Sequence, residues 1–121
     1  MKKTAQIVSD LRLRYRGHHR WVTTEPLVVR YDGRRFIVPA GFATDLDSVP
    51  RIPGVHALLK NHAFIASTVH DYTYRCGMDR QLSDSLFYHT MLAEGVPRWK
   101  ACLLWLGVRI GGWAFYLGRR R

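Results

Sequence analysis

The 121-residue chain changes its hydrophobic period once, and that change most limits what it can fold into. In DLRLRYRGHHRWVTTEP, Leu11, Leu13 and Tyr15 alternate with arginines, the period of a half-buried strand. Gly17 marks a turn into a second strand around Arg20 to Thr24. LVVRYDGRRFIVP then sets Asp32-Gly33 between two β-rich runs, a strong hairpin signal because a type I′ turn needs positive φ at both central positions. From residue 56 onward the spacing is helical. PAGFATDLDSVPRIPG lies between, and its three prolines and two glycines predict an ordered loop rather than a helix.

Three helices are expected after the loop. HALLKNHAFIASTVHDYTYR supplies the first, ending near Cys76-Gly77. Asp79 is placed to cap the second, RQLSDSLFYHTMLAE, which stops at Gly95. Pro97 opens the third, from Arg98 to about Leu117. Strands first and helices afterwards predict an α+β domain, with a small N-terminal antiparallel sheet of about four strands followed by about three helices. The boundaries read as sheet over 1–38, ordered loop over 39–55 and helical part over 56–121, all in one domain. The first two helices, joined by a short break, should form an antiparallel hairpin.

Charge is distributed unevenly. Residues 1–35 hold nine Lys/Arg against three acids, a net of +6, and residues 98–121 hold six basic residues and no acid, again +6. The centre, 36–97, has four basic residues and six acids, a net of −2. Basic ends suit an anionic membrane surface or nucleic acid, and an acidic centre suits a bound cation. The same charges also serve plain solubility. Cys76 and Cys102 form no metal pattern and require no disulfide. The N-terminus lacks a continuous apolar h-region, so synthesis in the cytoplasm is expected.

The candidate site lies in STVHDYTYRCGMDRQLSDSLF, residues Ser67 to Phe87. On a helix His70 and Tyr74 are four residues apart and share a face, with Asp71 turned about 100° away. His70 and Asp84 stand at similar distances on either side of the break, so they should sit at one height on facing helices. Asp84 is then placed to fix the tautomer of His70, the orienting role in hydrolytic His-Asp sites, and Asp71 is left for a cation. In GFATDLDSVP, Asp45, Asp47 and a carbonyl near Gly41 offer the hard oxygen ligands that Ca²⁺ prefers, while Thr44 and Ser48 can bond helix ends. The same spacing equally serves a structural clasp between two helices, with Asp71 exposed and Asp45 capping a turn. A phosphohydrolase-type metal site on His62, His70, Asp71 and Asp84 is disfavoured, because His62 and His70 are about 12 Å apart along one helix, too far to share one ion.

VPAGFATDLDSVPR, followed by HDYTY and an Asp ahead of a Phe, resembles a small family encoded by bacteriophages and prophages and catalogued as a domain of unknown function. The resemblance runs from Val38 to about Trp113, with Asp47 and Ser83 standing where a small residue and Ala are usual. It implies a phage origin, and the family name supplies no activity. HDYTY also resembles the His-Asp-x-x-Tyr helix of phospholipases A2. That resemblance implies His70 as general base for a water, Asp71 as ligand of Ca²⁺, and Tyr74 and Asp84 bonded around the histidine. Flanking cysteines and the Gly-rich calcium loop of that family are missing here.

WKACLLWLGVRIGGWAFYLGRRR contains an apolar run from Ala101 to Leu117 broken only by Arg109. Its length is at the bottom of the range for a membrane span, and the central Arg with Gly111-Gly112 makes spanning costly. Trp99, Leu103, Leu106, Ile110, Trp113 and Leu117 fall on one stripe, expected to pack as a core helix on the sheet. Alternatively the helix lies at a lipid surface, with Trp99, Trp113, Arg109, Arg119, Arg120 and Arg121 at the headgroups, or contacts other phage structural proteins.

Three functions follow. The first is a Ca²⁺-assisted, phospholipase- or esterase-like hydrolase; the second is a non-enzymatic virion, tail or assembly component. A nucleic-acid-binding protein ranks last, for want of a definable reading face. Synthesis in a bacterial host's cytoplasm is expected, with virion-associated or membrane-peripheral placement afterwards.

Overall fold

A computed structural model of the chain describes residues 4–17, 20–44 and 64–119, with side chains described as far as 110. The α+β order is as the period change predicts, but the N-terminal half holds two three-stranded antiparallel sheets rather than one of about four strands. The first sheet has β4 (Leu27–Tyr31) at its centre, between β1 (Ala5–Ile7) and β5 (Arg34–Val38). The second has β3 (Trp21–Thr23) between β2 (Leu13–Tyr15) and β6 (Ala43–Thr44). The short runs AQI and AT that become β1 and β6 carry too few residues to show a period, so only pairing reveals them.

β4 and β5 form the expected hairpin, pairing Tyr31 with Arg34 and Leu27 with Val38. Asp32 and Gly33 both take positive φ, 53° and 73°, which this turn requires. Alternation then puts Leu27, Val29, Tyr31, Phe36 and Val38 on one buried face. Thr23 ties the sheets together: its hydroxyl donates to the Pro39 carbonyl at 2.8 Å and accepts from the Phe42 amide at 2.9 Å.

Three helices follow among the described residues: α1 (Phe64–Arg75), α2 (Arg80–Ala93) and α3 (Arg98–Arg119). The part of the first predicted helix before residue 64 lies outside the described residues. α1 ends in a Schellman motif, with the Met78 amide on the Thr73 carbonyl at 3.0 Å and the Gly77 amide on that of Tyr74 at 3.1 Å. Gly77 sits at φ +75°, where a side chain would be strained, so the break is sharp. Asp79 then caps α2, its carboxylate accepting from the Leu82 amide at 3.1 Å. The same terminal motif closes α2, with Val96 packed back in one core cluster with Met91.

α2 lies at the centre. With α1 it covers the first sheet, where Val69 and Leu86 join Leu27, Val29, Tyr31, Phe36 and Val38 in one core. On its other side, Phe87 and Met91 join Ala66, Ala101, Leu104 and Val108 in a second core. α3 therefore packs on α2, with Ala66 of α1 in the same cluster, and not on the sheet, which corrects the expectation from its apolar stripe. Ala101, Leu104 and Val108 are its buried face, while Trp99, Leu103, Leu106 and Ile110 are exposed. The sheet's apolar face is already covered by the α1–α2 hairpin.

Candidate functional site

The Schellman turn and the Asp79 cap bring α1 and α2 antiparallel, and this sets His70 against Asp84. The imidazole Nε2 donates to Asp84 Oδ1 at 2.8 Å, with both side chains about 1% exposed. One turn further along α1, the Tyr74 hydroxyl donates to the same oxygen at 2.5 Å. The second oxygen, Oδ2, accepts from Arg109 Nη1 at 3.0 Å, reaching in from α3, with Arg80 Nε 3.9 Å away. Arg80 also donates to the Arg109 carbonyl. All three helices thus meet on one buried carboxylate.

Burial by itself would raise the Asp84 pKa, but the bonds from His70 and Tyr74, the His70 charge and the Arg109 bond together hold it below the ordinary carboxylate value. Asp84 is therefore an anion at neutral pH. Tyr74 is pushed far the other way, by burial first and then by its bond to that anion, so its hydroxyl stays a proton donor. In the neutral imidazole, a proton kept on Nε2 for Asp84 leaves the lone pair on Nδ1. Nδ1 is buried and bonds no described residue. Phe87 and Tyr74 pack against the ring, with centroids 4.7 Å and 4.1 Å away.

Asp71 lies on the shoulder of α1, with its side chain 13% exposed and Oδ1 3.1 Å from Arg75 Nε. Arg75 in turn donates to the Ala43 carbonyl at 2.9 Å and lies over the Phe42 ring. The start of the 41–48 loop is thereby joined to Asp71 through a guanidinium. Gly41 is exposed at φ +86°, and Thr44 is buried beside β3. Asp45, Asp47 and Ser48 lie outside the described residues. No group of three or more His, Cys, Asp or Glu side chains arranged for a metal ion occurs among the described residues. Asp71 already holds a cationic partner in Arg75.

Of the residues read as lipid or anion contacts, Trp99 is exposed, whereas Arg109 is turned inward to Asp84. The side chains of Trp113, Arg119, Arg120 and Arg121 lie outside the description. Arg80 is a site residue that sequence reasoning missed, and Arg109 was read as a headgroup contact rather than as a partner of Asp84. Arg80 stands one turn before Asp84, and a lone Arg inside an apolar helical run is itself a sign of a buried acidic partner. Glu94 was missed as well: from the end of α2 it accepts the Ile65 amide at 3.0 Å and the Ala66 amide at 2.7 Å, capping α1 from outside its own sequence.

Residues 21–108 match the model of a family described as "Protein of unknown function (DUF1353)", and the chain belongs to that family. No curated protein and no solved structure matches it.

Proposed function

We propose that this DUF1353 member is an ester hydrolase of the phospholipase A2-like kind, with His70 as its general base. The observation that carries the reading is the division of labour on one imidazole. Nε2–H is held by Asp84, which Tyr74 and Arg109 complete, while Nδ1 bonds no described residue. A histidine so oriented takes a proton from water at Nδ1 as the water oxygen adds to an ester carbonyl. The tetrahedral intermediate then breaks its bond to the leaving alcohol, which receives that proton from Nδ1. Asp84 remains an anion throughout and stabilises the imidazolium. Tyr74 and Arg109 are positioning residues that act through Asp84.

Ca²⁺ held by Asp71 with Asp45 and Asp47 belongs to the same proposal. It requires Arg75 to yield Asp71 Oδ1, and the proton transfer just described does not depend on it. The bacteriophage setting implied by the VPAGFATDLDSVPR and HDYTY motifs, with synthesis in a bacterial host, is also part of this reading.

A second reading has a specific observation in its favour. His70 and Asp84 are 1% and 0% exposed, which suits a lock that joins three helices in a non-enzymatic assembly component. Hydrolysis of lipid and short-chain esters by wild type, His70→Ala and Asp84→Asn separates the two. The hydrolase reading expects turnover by wild type and a loss of about 100-fold or more in His70→Ala that remains folded. A wild type inert on every ester, with both variants less stable, would establish the lock instead.

A further inference from the structure

We infer that the outward face of α3 docks on an anionic lipid surface. The helix buries Ala101, Leu104 and Val108 on one side. On the other side it leaves Trp99, Leu103, Leu106 and Ile110 in solvent, 61%, 46%, 50% and 59% exposed. These four recur at spacings of four, three and four residues, so they form one continuous stripe about 180° from the buried face. Trp113 and Leu117 continue the same spacing in the sequence. A stripe of this kind is far more apolar than ordinary solvent-facing helix surface and calls for a cover.

The charge pattern selects the cover. Residues 98–121 contain six cations and no acid. Along the described part of α3 those cations leave the stripe clear: Lys100 is buried and Arg109 points inward to Asp84, so Arg98 alone among them is exposed. Arg119, Arg120 and Arg121 follow at the far end of the sequence. Nucleic acid would need cations along the face itself, and here the face is hydrocarbon. A second copy would present residues 98–121 of another chain, again with six cations and no acid, so it offers no opposite charge to Arg98 or the terminal arginines. An apolar strip with a Trp and with cations toward its ends matches the boundary between acyl chains and acidic headgroups. No helix of the described residues is long and apolar enough to cross a membrane, so the helix lies along the surface. Docking is independent of the hydrolytic reading, since it uses neither His70 nor Asp71.

The test is sedimentation of the full chain with vesicles of phosphatidylglycerol or of phosphatidylcholine, at low and high salt. Wild type and His70→Ala should both pellet with phosphatidylglycerol, more weakly as salt is raised, and little with phosphatidylcholine. Leu103→Glu/Leu106→Glu should lose about tenfold or more in partition while keeping its melting transition. Bromine-labelled phosphatidylglycerol should quench tryptophan fluorescence in the unmodified chain, a readout that needs no variant. Absence of both sedimentation and quenching would overturn the inference, as would equal binding by the double variant. Self-association without vesicles that the double variant abolishes, with no vesicle binding, would give the face to a second copy instead.

Discussion

Arg109 Nη1 lies 3.0 Å from Asp84 Oδ2, and this ion pair ties α3 to the α1–α2 hairpin at the carboxylate that also holds His70 and Tyr74. The single charge that interrupts the apolar run of α3 is thus the one that reaches the buried acid. Removing either partner leaves the other charge, or the His70 donor, buried without compensation.

Asp84→Asn should therefore destabilise the protein by about 3–5 kcal/mol, measured by urea unfolding at neutral pH. The pH dependence is equally specific. The folded pKa of Asp84 is lowered from 3.8, so its contribution is fully present above 3.8 and is lost as pH falls through the lower folded value. Wild-type stability should fall with pH in that acid window, and Asp84→Asn should flatten that part of the curve. An unchanged acid slope in the variant would show that other carboxylates carry it.

Glu94 predicts the opposite sign. Burial raises its pKa above 4.5, against the pull of the Ala66 and Ile65 amides. Folding then favours its protonated form, so its contribution is largest below 4.5 and is lost as pH rises through the folded value. Glu94→Gln removes that dependence. It also costs about 1–2 kcal/mol, because the amide NH₂ faces one of two backbone donors that need an acceptor. Unfolding curves on both sides of 4.5 check both statements.

Leu104 and Leu106 are two residues apart on α3, one fully buried and the other half exposed. Leu104→Ala should cost about 2–5 kcal/mol through lost burial and the cavity between α2 and α3. Leu106→Ala should change stability by about 0.5 kcal/mol or less. Thermal melts of the pair check the orientation of α3 directly. Equal losses would mean that the outward stripe is covered in the free protein.

Calorimetric titration with Ca²⁺ addresses Asp71. If Asp71, Asp45 and Asp47 form a shell, wild type should bind with measurable heat and Asp71→Asn should bind about tenfold or more weakly. Arg75→Ala, which frees Asp71 Oδ1 of its 3.1 Å partner, should then strengthen binding. Heat that is absent from all three proteins would remove calcium from the proposed mechanism.

Much of the scaffold was legible in local sequence because local chemistry governs it. Asp32-Gly33, Gly77 and Asp79 each have one conformation or cap that suits them, and each takes it. Counting outward from the break at Gly77 sets His70 opposite Asp84, since rise per residue is constant along both helices. β1 and β6 were not legible, because strands of three and two residues exist only through their partners.

The face that α3 presents lay beyond any reading of period. That helix is apolar on both sides, so its sequence permits either Leu104 or Leu106 to be buried, and only the shape of the α1–α2 hairpin decides for Leu104. Once that choice is made, Arg109 faces Asp84 and the Trp99 stripe faces solvent. Residue order by itself determined the α+β sequence of elements and the His70–Asp84 register, both products of short-range geometry. The tertiary structure decided which charges meet in the interior and which apolar residues stay outside, because those depend on elements distant in the chain competing to cover the same surface.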